Sequence, residues 1–122
     1  MASNAITIRV KDFLKAYPPF SYLEDDVLLQ LAETVRVKYY QAEDLIFEQG
    51  VENKGFLYIL CKGRVELIKS EDGIPRIIDI CEAGDMFGLK SIMTAATYAS
   101  SAKSVKDALI YAIPSDTFVA LK

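Results

Sequence analysis

The sequence predicts a mainly β domain, a small antiparallel sandwich, jelly roll or barrel entered through two helices. Three observations carry that prediction. Apolar residues recur at helical spacing only as far as about residue 34, and from residue 35 the period shortens to two. Beyond that point short strand-like pieces follow one another at roughly 8–12-residue intervals, the rhythm of sandwiches and barrels. Gly50, Gly55, Gly63 and Gly84 punctuate those pieces where the chain must turn.

Taken in order, Ile6, Val10, Phe13, Leu14 and Tyr17 share one face of a first helix. Pro18-Pro19 ends it, because neither proline donates a hydrogen bond and Pro19 disfavours the α region for its predecessor. A second helix spans Asp25–Thr34 with Val27, Leu28, Leu31 and Ala32 as its stripe. Glu24, Asp25 and Asp26 lie at its start, where the macrodipole favours negative charge, and read as helix-end charges and not as a metal cluster. Val35, Val37 and Tyr39 then alternate with Arg36, Lys38 and Tyr40, which predicts a half-buried strand. Further strands are predicted at Leu45–Phe47, Phe56–Cys61, Arg64–Lys69, Arg76–Cys81, Ser100–Ser104 and Ala108–Ile113. Glu71-Asp72-Gly73 is the clearest hairpin loop, Gly73 being free to take a positive φ. After Ile113-Pro114, Ser115 caps a last helix whose Phe118 and Leu121 are predicted to face inward. Met1–Ala5 are small and polar, resemble a leader appended for expression, and are set apart from this scheme.

The chain has 122 residues, 52% of them hydrophobic, enough for one domain with a real core. Fourteen Lys and Arg against 17 Asp and Glu leave a net charge of −3, which supplies no field to hold DNA or an anionic membrane non-specifically. There is no histidine, which excludes Ser-His-Asp and Cys-His nucleophile systems, His-ligated haem and zinc, and the histidine-bound metals of cupin-like barrels. Cys61 and Cys81 cannot complete a four-ligand zinc or iron–sulfur site. They read as buried thiols in a reducing cytoplasm, with a disulfide left open. No apolar run approaches the roughly 20 residues of a spanning helix, and the first residues lack the basic and apolar regions of a signal peptide.

The stretch that can carry chemistry is Gly84-Asp85-Met86-Phe87-Gly88-Leu89-Lys90-Ser91-Ile92-Met93. A strand-like piece ends at Phe87, Gly88 permits a sharp turn, and a short helical turn follows. Such a turn gathers backbone N–H groups into one space, a general anion-binding device. By itself it is equally a way to change direction.

The order of the pieces is more specific. Two helices precede Tyr40…Ile46-Phe47-x-Gln49-Gly50. There follow Leu57-Tyr58-Ile59…Gly63-x-Val65-Glu66, then Gly84-Asp85-x-Phe87-Gly88, then Tyr111-x-Ile113-Pro114…Phe118. Over about residues 7–122 this series resembles the cyclic-nucleotide-binding domain family. The resemblance implies an eight-stranded antiparallel β-roll, a jelly-roll-like double-stranded helix, flanked by N-terminal helices and the start of a C-terminal helix. It divides a single domain, 6–122, into helices at 6–34, a roll at 35–113 and a last helix from 115. The segment after Phe-Gly would be the phosphate-binding cassette, comprising Phe87, Gly88, Leu89, Lys90, Ser91, Tyr98, Ala99 and Ser100.

That cassette departs from the family pattern. Members that bind cyclic AMP or GMP carry a Glu after Phe-Gly, which accepts from the ribose 2′-hydroxyl, and about nine residues later an Arg that pairs with the cyclic phosphate. Here Leu89 and Tyr98 hold those positions, and no arginine follows Arg76. Charge-assisted bonds of this kind contribute roughly 1.5–3 kcal/mol each, so losing both weakens binding by about two to four orders of magnitude. Leu89 is expected as an apolar wall where the sugar wants an acceptor. Lys90, adjacent on the helical turn, is expected to diverge toward solvent. Tyr98 with Ser91, Ser100 and Ser101 would leave a neutral, hydroxyl-lined pocket, either suited to an uncharged or aromatic ligand or filled by its own side chains. Glu43 stands where the family usually has Gly, so the Gln41–Asp44 turn is expected to form without a glycine.

Pro18-Pro19-Phe20-Ser21-x-Leu23 together with Leu109–Pro114 resembles the N-terminal domain of a bacterial group. In that group a cyclic-nucleotide-binding-like domain precedes CBS domains and a nucleotidyltransferase-like domain. The resemblance implies a non-catalytic, cytoplasmic regulatory module without cofactor or metal. It implies a small-molecule ligand of unknown identity and contact with downstream domains of the same chain. A homodimer is open, and neither nucleic acid nor membrane is touched directly. The alternative is the sensor half of a catabolite-activator-type transcription regulator, followed by a dimerisation helix and a helix-turn-helix. A cupin-type enzyme using Glu43, Asp44, Glu48 and Asp79 is disfavoured by the missing histidines.

Overall fold

A computed structural model describes residues 5–94 and 97–119. Helix α1 (Ala5–Leu14) and helix α2 (Asp25–Thr34) flank a 3₁₀ turn at Phe20–Tyr22. Strands β1 (Arg36–Tyr40), β2 (Leu45–Phe47), β3 (Phe56–Lys62), β4 (Val65–Glu71), β5 (Ile74–Cys81) and β6 (Met86–Phe87) follow. Helix α3 (Leu89–Thr94), strands β7 (Ser101–Ser104) and β8 (Ala108–Pro114) and helix α4 (Ser115–Val119) complete the order. The strands form two four-stranded antiparallel sheets, β1-β8-β3-β6 and β2-β7-β4-β5. This is the eight-stranded roll expected from the sequence.

Strand β3 explains why the central pieces read as continuous apolar runs. Its residues alternate between two cores, because successive side chains leave a strand on opposite faces. Tyr58 and Leu60 point between the sheets, where Ile46, Phe47, Val65, Phe87, Tyr98 and Ile110 join them. Leu57 and Ile59 point the other way, into a second core with Val10, Leu14, Phe20, Leu28 and Leu31 from the helical segments. Strand β8 divides likewise, Ile110 and Ala112 inward and Tyr111 and Ile113 against the helices. The helices therefore cover the outer face of one sheet.

Two sequence expectations need correction. Ile6 does not share the buried face of α1, being 62% exposed; that face begins at Val10. In β1 the covered side is Lys38 and Tyr40, while Val37 and Tyr39 are exposed. Lys38 and Arg36 lie over the Phe56 ring, 5.8 and 5.0 Å from its centroid, so a long cation covers apolar surface that the valine count assigned elsewhere.

The turns follow their residues. Asp72 and Gly73 join β4 to β5 with φ of 55° and 79°, the positive pair of a type I′ hairpin. Glu43 adopts φ 77° without being glycine. Its N–H donates to the Ser104 carbonyl at 2.6 Å, and its carboxylate meets Lys103 at 2.8 Å. Asp44 and Asp107 accept from the Gln41 and Ala42 N–H groups at 2.9 and 3.0 Å, so side chains hold the turn. Cys61 and Cys81 are free thiols, and among the described residues no His, Cys, Asp and Glu group could hold a metal. No described helix is long and apolar enough to cross a membrane. The inward facing predicted for the Phe118 side chain and for Leu121 lies outside what the structure describes.

Candidate functional site

Strand β6 ends at Phe87, and Gly88, at φ 85°, turns the chain into α3. A Cβ there would lie 3.1 Å from the Tyr58 ring, so glycine serves both the turn and the close approach. Within α3, Leu89 and Ile92 are three apart and share a face, which packs into the second core. Leu89 is therefore not the apolar wall of a sugar pocket. Residues 89 and 90 do diverge, and Lys90 is exposed as expected; it is the leucine whose direction differs. The leucine turns to the helices and Lys90 lines the cleft. Phe87 is likewise core, stacked on Tyr58 at 5.3 Å.

The cleft itself, about 240 Å³, lies between the roll and α3 and is lined by Phe47, Leu67, Lys69, Ile78, Gly88, Lys90, Ser91, Tyr98, Ala99 and Ser100. Six of the eight residues placed in the cassette by sequence thus meet there. Four lining residues escaped sequence reasoning. Leu67 and Lys69 share one face of β4 by the two-residue period, a signal that was available. Ile78 had none, since it bulges out of register between the Ile68–Ile77 and Leu67–Asp79 pairs. Phe47 reads as core and is core, at the inner end of the cleft.

That inner end is closed by aromatic rings. Tyr98, 3% exposed, stacks on Phe47 with centroids 3.9 Å apart and planes within 9°. Its hydroxyl accepts the Lys54 N–H at 3.0 Å and is hydrogen-bonded to Tyr58. Burial, then the neighbouring Tyr98, raises the Tyr58 phenol well above its ordinary pKa, so the Tyr58 hydroxyl keeps its proton. The Tyr98 backbone is fixed as well, its N–H donating to Val51 at 3.0 Å and its carbonyl accepting from Gly50 at 2.9 Å. Tyr98 is thus held as a piece of core at the inner end of the cleft.

The remaining polar lining is partly committed. Ser91 donates its hydroxyl to the Gly88 carbonyl at 3.0 Å. Gln49 clamps the end of β4, its amide bonding the Ser70 carbonyl and N–H at 3.1 and 2.7 Å, while its own N–H donates to Ser101 at 2.9 Å. Among the described lining residues Lys69 and Lys90 are the charged ones, and no carboxylate accompanies them. The cleft is thus cationic at its rim and apolar within, not the neutral pocket expected.

Comparison with known proteins bears on this geometry. The profile described as "Cyclic nucleotide-binding domain" matches residues 37–122. The human cGMP-dependent protein kinase 2 is 30% identical over 86 residues, 69% of this chain and 11% of that kinase. The chain therefore spans about a tenth of the length of the curated relatives it matches. Among solved structures, the cAMP-bound regulatory domain of Toxoplasma gondii PKA superposes with a TM-score of 0.86 at 22% identity, covering 98% of this chain and 46% of that one. The sensor domain of the Pseudomonas aeruginosa transcriptional regulator DNR does so at 0.85 with 16% identity, covering 93% and 77%. At these identities the structural matches speak for the fold.

Proposed function

The chain belongs to the cyclic nucleotide-binding domain family, and from that premise we propose that it is a non-catalytic regulatory module. Its cleft takes a small ligand but does not hold cyclic AMP or cyclic GMP tightly. The observation that carries this reading is Tyr98, buried and hydrogen-bonded in the Phe47 stack where a phosphate-pairing arginine would be needed. Leu89, at the position of the ribose-binding carboxylate, is turned into the second core, and the described lining residues include no carboxylate acceptor for a 2′-hydroxyl.

Output would pass through α4. It follows β8 directly, packs against β3, β8 and α2, and is pinned by the Ser115 N–H to the Gly55 carbonyl at 2.8 Å. A ligand that changes the loop from Gln49 to Gly55 would reach this helix through Gly55. We place the module in the cytoplasm, ahead of CBS and nucleotidyltransferase-like domains. A second reading, the sensor half of a transcription regulator, draws on the likeness to the DNR sensor domain over most of both chains. Sequencing the gene on both sides of these residues separates the two.

Calorimetric titration with cyclic AMP and cyclic GMP tests the central statement. Neither is expected to bind below about 100 μM, given the two lost charge-assisted contacts. Micromolar binding of either overturns it.

A further inference from the structure

We propose that the ligand of this cleft ends in a doubly charged phosphate monoester, held between Lys69 and Lys90 with its apolar body against Leu67 and Ile78. The proposal rests on the preceding reading of the cleft as a ligand site and adds the charge class of what enters it.

The two lysines reach one space from different parts of the fold. Lys69 stands on β4 in the middle of one sheet, half-buried among the lining. Lys90 stands on α3, which follows β6 of the other sheet. Among the described residues neither is in an ion pair, whereas Lys11, Lys15, Arg64, Arg76 and Lys103 are. Among the described lining residues there is no carboxylate, so the lining itself carries two positive charges.

Charge matching then discriminates between ligands. A cyclic phosphodiester carries one negative charge and suits one bidentate guanidinium. A phosphate monoester, with a second pKa of about 6, carries nearly two at neutral pH. Lysine ammoniums act as compact point charges without the fork geometry of arginine, and so suit the three terminal oxygens of a monoester approached from two sides. Leu67 and Ile78 supply an apolar wall, and the buried Ser100 adds a hydroxyl to the lining. The buried Tyr98 and Phe47 close the inner end, which sets how deep the ligand's body can go.

Adenosine 5′-monophosphate and cyclic AMP form the decisive pair, since they share base and sugar and differ in ring closure and charge. Titrated calorimetrically at low ionic strength, the monoester is expected to bind about tenfold or more tightly than the cyclic diester, and adenosine more weakly than the monoester. Lys69→Gln and Lys90→Gln should each lower the monoester affinity about tenfold while leaving the melting temperature unchanged, because both side chains border solvent. Lys62→Gln, an exposed strand end outside the cleft, should change neither quantity. Monoester binding that is absent at millimolar concentration, or that survives both cleft substitutions, overturns the dianion proposal alone. Micromolar cyclic AMP overturns the preceding reading of the cleft as well.

Discussion

Tyr98 separates a core residue from a ligand residue, and its truncation can be worked from the structure. The ring is 3% exposed and stacked 3.9 Å from Phe47. Burying a tyrosine removes about 150–250 Å² from water. At about 25 cal/mol per Å² this corresponds to roughly 4–6 kcal/mol. The retained Cβ and partial collapse recover some of it, so Tyr98→Ala should cost about 3–5 kcal/mol. Tyr98→Phe keeps the stack and deletes only the hydroxyl. The Lys54 N–H belongs to an exposed residue and can turn to water, whereas Tyr58, 2% exposed, is left with one fewer partner. A cost of about 1–2 kcal/mol follows. Urea denaturation followed by far-UV circular dichroism measures both, the slope reporting whether the native state stays compact. An alanine cost below about 1 kcal/mol, or equal costs for the two variants, would refute the reasoning. The ring would then be a loose occupant that a ligand displaces.

Two further predictions follow from the same structure. Gly63, at φ 101°, has backbone on its open side, an added Cβ falling 2.5 Å from the Asp107 carbonyl oxygen and 2.8 Å from Ala108 Cα. Gly63→Ala should therefore cost more than about 2 kcal/mol, while Gly73→Ala, with open space around it and only its positive φ against it, should cost about 1 kcal/mol; thermal melts of the two variants check the order. Alkali should also unfold the domain ahead of its surface tyrosines. Burial, then Asp79 and Asp85, pushes the Cys81 thiol from 9.0 up to about 11, and burial with the Cys61 contact pushes Tyr111 from 10.0 up to about 12. Both acids are held in their neutral forms by folding, so the stability they contribute is present below pH 9 and is lost as pH rises from there toward 11 and 12. Constant stability from pH 8 to 11, or rapid reaction of Cys81 with a thiol reagent in the folded protein at pH 8, would contradict this.

The sequence carried the architecture because each strand of the roll has local punctuation. Asp72-Gly73 marked its hairpin and took the positive φ pair that two-residue turns require. The run Leu57-Tyr58-Ile59-Leu60 signalled a strand covered on both faces, and two cores accept it. Where a count of apolar residues had to choose a face, it failed. Val37 and Tyr39 outweigh Lys38 in hydrophobicity, yet Lys38 covers the Phe56 ring from the inner side. The pairing of β1 with β8 fixes that register over five residues, Arg36↔Ala112 to Tyr40↔Ala108.

The site was legible in outline and misread in orientation for the same kind of reason. A position-by-position comparison with a family pattern names the residue at each place but not the direction in which it points. Leu89 has a second hydrophobic cluster within reach on one side of α3, and once it turns there Lys90 must take the other side, about 100° away. One apolar choice thus delivers a cation to the cleft, and Lys69 adds another from a strand with no place in the cassette pattern. The consequence is a division of labour within about 240 Å³. Phe47 and Tyr98 fill the inner end as core, so changing them alters stability first. Lys69 and Lys90 stand at the rim, so changing them alters what binds and leaves the fold alone. On the function proposed above, ligand choice in this roll can therefore vary without cost to the two cores that hold it together, and specificity is to be sought at the rim and not at the buried Tyr98.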